Sequence, residues 1–472
     1  MKLHAVDDTF ISHLKKILPE GVIHPAEPRY LEEPRGQWIG QKALLMRPET
    51  TEQVSLLIKA AYEARVAVIP YGGGTGLVGG QIMPVGPSPL ILSLERMNKI
   101  RKIYASENVL ISEAGVTLAE VRNAAYDVDR LFPLSLAAEG SARIGGNLAT
   151  NAGGINVLRY GNARDLCIGL EVVLPDGKIW NGLSRLRKDN TGYDLRNLLI
   201  GSEGTLGVIT AASLKLFEQP SHFYTAFLEV ASPSAAINIL YTLRAKLGNV
   251  VSAFELIHKQ GFDFLSEKLP EIKLPFKEAS EWMVLLEIGF EGTTDGESSI
   301  DAFFTVGQEK GLVTNAIIAQ SERERHEFWA VREYIPEANR LIGSISSHDI
   351  SLPLSAIPEF IERAKVLISN LGAFRINCFG HLGDGNLHFN VFPIPGKLHQ
   401  INVKSQNRIR HQVHQLVNSM EGSISAEHGI GRLKLADLER YADPAKLSAM
   451  RAIKDALDPR GIMNPGVILR PL

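Results

Sequence analysis

The chain of 472 residues is 45% hydrophobic and 22% charged, and at roughly 150 residues per domain it holds about three domains' worth of globular material. Its 50 Lys+Arg against 52 Asp+Glu leave a net charge of −2, which excludes the basic footprint of a nucleic-acid binder. Two cysteines, Cys167 and Cys378, exclude a disulfide framework and suit a reducing compartment, and no apolar run approaches the ~18 residues of a membrane-spanning helix.

Asp7 and Asp8 open a short amphipathic run (Phe10, Leu14, Ile17, Leu18) with neither an apolar leader core nor an Arg-rich transit pattern, so a cytoplasmic protein is expected. Residues 49–62 predict a helix: Thr50 and Gln53 have capping-box spacing, and Val54, Leu57, Ile58 and Ala61 repeat at helical period. Residues 66–69 read as a buried strand. A second capped helix opens at Thr117 with Glu120, and residues 171–180 read as a hairpin turning on Asp176-Gly177. Past Gln219-Pro220 glycine thins out. Strands at 223–230, 283–290 and 375–380 alternate with helices at 233–247, 297–310 and 358–370, the pattern of an α+β region on an antiparallel sheet. Residues 457–467 break into turns.

The 42 glycines, about 9% of the chain against a typical ~7%, cluster at 72–80, 140–161, 201–207 and in short runs near 380–385 and 429–431. In the segment 70–80, PYGGGTGLVGG, Gly74, Gly76 and Gly79 satisfy the dinucleotide fingerprint G-x-G-x-x-G. That fingerprint has to open a helix, and Pro84, Gly86, Pro87 and Pro89 forbid one here. Successive glycine amides still make an anion-binding nest. A second segment, 133–154, combines Gly140, Gly145, Gly146, Gly153 and Gly154 with Ser141, Asn147, Thr150 and Asn151, so close backbone approach and hydrogen-bonding groups occur together. The segment 201–210, GSEGTLGVIT, is a third. Three such surfaces imply an extended ligand, and a dinucleotide fits.

Residues 375–392, RINCFGHLGDGNLHFNVF, predict a hairpin on Asp384-Gly385 that pairs His381 with His388 and sets Asn390 on the same face. Two facing imidazoles on an apolar hairpin point to a divalent metal, and Glu427 in Ser425-Ala-Glu-His428-Gly can add a carboxylate, leaving one position open. Arg332 in Trp329-Ala-Val-Arg332 is either a surface-helix arginine or a bidentate carboxylate binder.

In their order these segments resemble the FAD-binding domain of the vanillyl-alcohol oxidase / p-cresol methylhydroxylase (PCMH/VAO) type. More closely they resemble its D-2-hydroxyacid dehydrogenase branch, from about residue 20 to Asn464-Pro-Gly. The resemblance implies an α+β fold: a PCMH/VAO-type FAD domain of two α+β subdomains over 1–219, an antiparallel-sheet substrate and metal domain over 220–445, and a segment 446–472 that returns to the FAD domain. It implies FAD pyrophosphate along Gly72, Gly73, Gly74, Thr75 and Gly76. The flavin ring is implied near Pro133, Gly140, Ser141, Gly145, Gly146, Asn147, Thr150, Asn151 and Gly153, with Gly161, Glu203, Gly207, Ile209 and Asn464 completing the site. It further implies zinc, or another divalent metal such as manganese, on His381, His388 and Glu427. His428 is implied as general base, with Arg332 on the substrate carboxylate and Asn390 beside it.

The reaction implied is oxidation of a small D-2-hydroxy acid, with electrons passed to an electron-transfer flavoprotein, a quinone or a soluble carrier; a homodimer is the default assembly. Ser347 stands where the branch carries lysine and Pro336 where it carries threonine, which puts 2-hydroxyglutarate in doubt and leaves His348 to compensate. Two other classes are open from the residues: a non-haem iron oxygenase on the two-histidine, one-carboxylate set, and a flavin-binding protein without turnover.

Overall fold

The structure, a computed structural model, describes residues 2–290, 297–396 and 403–471. The chain forms two compact units. The first comprises Met1–Gly153, Gly161–Glu218 and Glu427–Leu472, and the second Gly154–Tyr160 and Gln219–Ala426. The return to the first unit thus falls at Glu427, where the sequence pattern sets it at 446. The reason is local: Arg432 and Leu433 donate their backbone N–H groups to the Val78 carbonyl, which ties 427–434 to the glycine loop.

The first unit contains two main sheets and a two-stranded pair, Arg130–Leu131 with Phe217–Glu218. Four strands, in the order Ile23–Pro25, Leu44–Met46, Leu90–Ser93 and Val68–Tyr71, are parallel except at the 23–25 edge. Five antiparallel strands follow in the order Ile100–Tyr104, Val109–Glu113, Val208–Lys215, Cys167–Val173 and Ile179–Gly182. Both predicted helix starts are present. Thr50 caps Thr51–Ala64 by accepting the Gln53 N–H, though the Gln53 side chain reaches back to the Glu49 N–H and not to the cap. Thr117 and Glu120 form a complete reciprocal capping box on Leu118–Tyr126. Residues 72–89 contain no helix, as their prolines require.

The second unit is built on seven antiparallel strands in the order Val313–Ile318, His222–Val230, Trp282–Phe290, Val251–His258, Phe374–His381, Asn386–Pro393 and Ser346–Ser351. The central strands are nearly continuous apolar runs because both their faces are buried. Tyr224, Ala226, Leu228, Phe254, Leu256, Val284 and Leu286 pack with helices 233–247, 357–369 and 403–419. The alternate residues Phe227, Ala253, Ile257, Met283, Leu285 and Phe379 pack with helices 259–268 and 322–342. Period-2 alternation therefore decides which helical layer every strand side chain meets.

Candidate active site

Within the first unit, the loop after strand 68–71, the short helix Ile144–Ala149 and the 201–209 turn line an open cleft. Its wall includes Gly72, Gly73, Gly74, Thr75, Gly76, Gly145, Gly146, Asn147, Thr150, Glu203, Gly207, Ile209 and Asn464, and His428 lines the same cleft. Of the remaining residues expected at the cofactor, Pro133 is buried, Gly140 and Ser141 are exposed, and Asn151, Gly153 and Gly161 are half-buried; none of these six lines it. Ser141 acts on the cleft indirectly. A Cβ on Gly73 would lie 2.0 Å from the Ser141 carbonyl oxygen, so only glycine lets the loop approach so closely. Asn151 instead accepts the Arg164 N–H with its side-chain oxygen.

Two cleft-lining amides have buried side-chain atoms without a hydrogen-bond partner among the described residues: Asn147 Nδ2 and Asn464 Oδ1. Buried polar groups in native proteins are normally satisfied, so a donor and an acceptor facing a cleft suit a polar ligand, and an extended cofactor such as FAD fits this lining. Glu203 works differently. Its carboxylate accepts the backbone N–H groups of Ile430 and Gly431, both at 2.8 Å, and thereby fixes the segment that carries His428. Burial pushes the Glu203 carboxyl up to about 7, and the two N–H donors only partly oppose it. Asn464 Nδ2 donates to the Glu203 carbonyl at 2.8 Å, joining the two non-glycine residues held at positive φ in this wall.

In the second unit the expected residues gather on the sheet face that meets helix 322–342. The hairpin register is corrected. Phe379, not His381, lies opposite His388, because Leu382–Asp384 form a 3₁₀ turn closed by Gly385 at φ +83 in place of a two-residue turn. A shift of two residues preserves the face, so the His381 and His388 rings still lie 5.6 Å apart. His381 lies opposite Glu255 and its Nδ1 is 2.7 Å from a Glu255 oxygen. His388 Nδ1 lies 4.0 Å from Asp349, which also accepts Asn386 Nδ2 at 3.0 Å. Asn390 stands opposite Ser347 and Asn377. In the first unit, His428 Nε2 is 3.7 Å from Glu427.

Arg332 is buried, not a surface arginine, and it donates Nε–H to the other Glu255 oxygen at 2.6 Å. Glu255 is fully buried. Burial pushes its carboxyl up, but His381 and Arg332 outweigh this and hold it at about 2. Glu255 and Asp349 are residues that sequence reasoning did not assign. Asp349 shares strand parity with Ser347, the available signal, whereas Glu255 sits in an apolar run and gave none.

His348 cannot compensate for the missing lysine. Strand alternation turns it to the opposite layer, where it meets Ser346 at 2.9 Å and the His414 ring at 5.2 Å. Pro336 lies inside helix 322–342 and has no N–H for the Arg332 carbonyl one turn earlier.

Residues 43–182 match the FAD binding domain and residues 219–468 the C-terminal domain of FAD linked oxidases. The chain is 37% identical to D-2-hydroxyglutarate dehydrogenase, mitochondrial, of Bos taurus, covering 98% of this chain and 83% of that protein. It is 34% identical to the enzyme of the same name from Arabidopsis thaliana, covering 98% and 82%. Among solved structures, p-cresol methylhydroxylase with substrate bound superposes with a TM-score of 0.75 at 16% identity, covering 100% of this chain and 99% of that one, a likeness of fold. The mitochondrial names of these relatives overturn the cytoplasmic expectation. Two unpaired cysteines indicate a reducing compartment and do not distinguish one such compartment from another. The chain belongs to the FAD-linked oxidases and is an FAD-linked oxidoreductase of α+β fold.

Proposed function

We propose that the chain oxidises a small D-2-hydroxy acid to the 2-oxo acid, with FAD held in the cleft of the first unit. The observation that carries this is His428 lining the same cleft as the glycine loop and helix 144–149. Bound FAD supplies the hydride acceptor. His428 takes the hydroxyl proton as general base, a role imidazole side chains commonly fill. Gly72–Gly76 hold the pyrophosphate with their amides, and Asn147 and Asn464 offer a donor and an acceptor to the cofactor.

His381, His388 and Glu427 are the proposed ligands of a divalent metal, zinc or manganese, with Asp349 as a further oxygen donor; nitrogen and oxygen donors of this kind suit both ions. Arg332 and Asn390 orient the substrate. The relatives' name, D-2-hydroxyglutarate dehydrogenase, supports the D-2-hydroxy acid class. Ser347 in place of a lysine favours a substrate whose distal end is less anionic than 2-hydroxyglutarate. The electrons leave to a flavoprotein, quinone or soluble carrier.

Anaerobic addition of D-lactate, D-malate, D-2-hydroxyglutarate and larger D-hydroxy acids tests the reading: at least one bleaches the flavin band, and its L-isomer does not. His428→Ala keeps bound FAD and slows that bleaching by ~10³-fold, within the range of general-base loss. Unchanged bleaching in His428→Ala removes His428 as base, and a protein that no D-hydroxy acid reduces removes the substrate class.

A further inference from the structure

Helix 322–342 lays an unusually polar face on the sheet of the second unit. Arg325 and Trp329 bond to Glu287 on strand 282–290, at 2.7 and 2.6 Å. One turn on, Arg332 bonds to Glu255 on strand 251–258, and two turns further Asn339 accepts from Asn377 on strand 374–381 at 2.9 Å. The helix thus reads three adjacent strands in order. At the middle contact a histidine joins, His381, which approaches the oxygen that Arg332 does not use.

We propose, building on the function above, that Glu255 is the positioning residue of the substrate-binding unit, fixing the His381 tautomer and the Arg332 fork through one carboxylate. His381 Nδ1 lies 2.7 Å from one Glu255 oxygen, so the ring is turned to donate its Nδ1–H to that carboxylate and to direct Nε2 away from it. Metal-binding histidines typically have their second nitrogen engaged in this way, and the partner sets ring orientation and basicity. The other oxygen takes Arg332 Nε–H, which orients the guanidinium plane, also stacked 4.8 Å from the Phe379 ring centroid. Both arms share a side chain with no solvent exposure, so neither partner turns without breaking a buried charge-assisted bond.

The test compares the holoenzyme with Glu255→Gln, which keeps the shape but presents an NH₂ group to one of the two donors. Zn²⁺ affinity, measured by chelator competition, weakens ~10–100-fold, the usual effect of losing such a partner. KM for the hydroxy acid rises, while flavin content and the flavin spectrum stay unchanged. Equal Zn²⁺ affinity and equal KM in the two proteins overturn the proposal even where the parent is fully active. A parent that binds no Zn²⁺ and oxidises no D-hydroxy acid overturns the function on which the proposal rests. Where Glu255→Gln does not fold, ring ¹⁵N spectra of the parent decide, with the His381 signal assigned by its loss in His381→Gln. A protonated Nδ1 is expected, and a protonated Nε2 overturns the proposal.

Discussion

Each unit buries a glutamate, and the two behave in opposite ways. Glu203 in the first unit is bonded by two backbone N–H groups and its carboxyl is pushed up to about 7; Glu255 in the second unit meets an arginine and a histidine and is held at about 2. Desolvation acts in the same direction on both, so the partners decide the outcome. Glu203 is a clamp that shapes a loop, and Glu255 is a charge node that orients side chains.

The largest effect expected from this contrast is Glu255→Ala. It strands a buried guanidinium and costs about 3–5 kcal/mol in urea unfolding, against about 1–3 kcal/mol for Glu203→Ala, which leaves two amides unsatisfied. The reverse order would break the comparison. Next, Gly73→Ala forces a Cβ against the Ser141 carbonyl and Gly385→Ala one against the Leu352 carbonyl. Each costs about 1–3 kcal/mol, but only Gly73→Ala lowers the flavin absorbance per mole of protein.

The pH dependence separates the two carboxylates by sign. Glu203 has a folded value above its ordinary 4.5, so its contribution is present below pH 4.5 and is lost as pH rises through about 7. Glu255 has a folded value below 4.5, so its contribution is present above pH 4.5 and is lost as pH falls toward 2. Unfolding midpoints from pH 2 to 8 should flatten in the upper window for Glu203→Gln and in the lower window for Glu255→Gln. The smallest effect is a control: Thr117→Ala and Ser232→Ala each remove a helix cap, one per unit, and cost about 1 kcal/mol alike.

Local signals were legible where local physics rules. Two capped helices of the first unit start where Thr50 and Thr117 say, and the apolar runs near 223–230 and 283–290 are strands because burial on both faces demands them. The 381–388 turn was misread because Asp384-Gly385 taken alone is a tight-turn signal, whereas the chain adds a 3₁₀ turn before Gly385. Parity along strand 346–351 already separates His348 from Ser347 and Asp349. Glu255 stayed hidden because its partners lie 77 and 126 residues away in sequence, and no window of the chain brings the three together.

Ile462 and Asn464 sandwich Val68 with backbone hydrogen bonds of 2.8 and 2.9 Å, and Arg460 reaches the Tyr62 carbonyl. The flavin unit is therefore begun early in translation and closed only after residues 219–426 have been made. At ~5–20 residues per second that interval is on the order of 10–40 s. Throughout it the edge of strand 68–71 and the glycine loop lack their final neighbours, and at its end every residue of the second unit has been made. The unit started second can finish first.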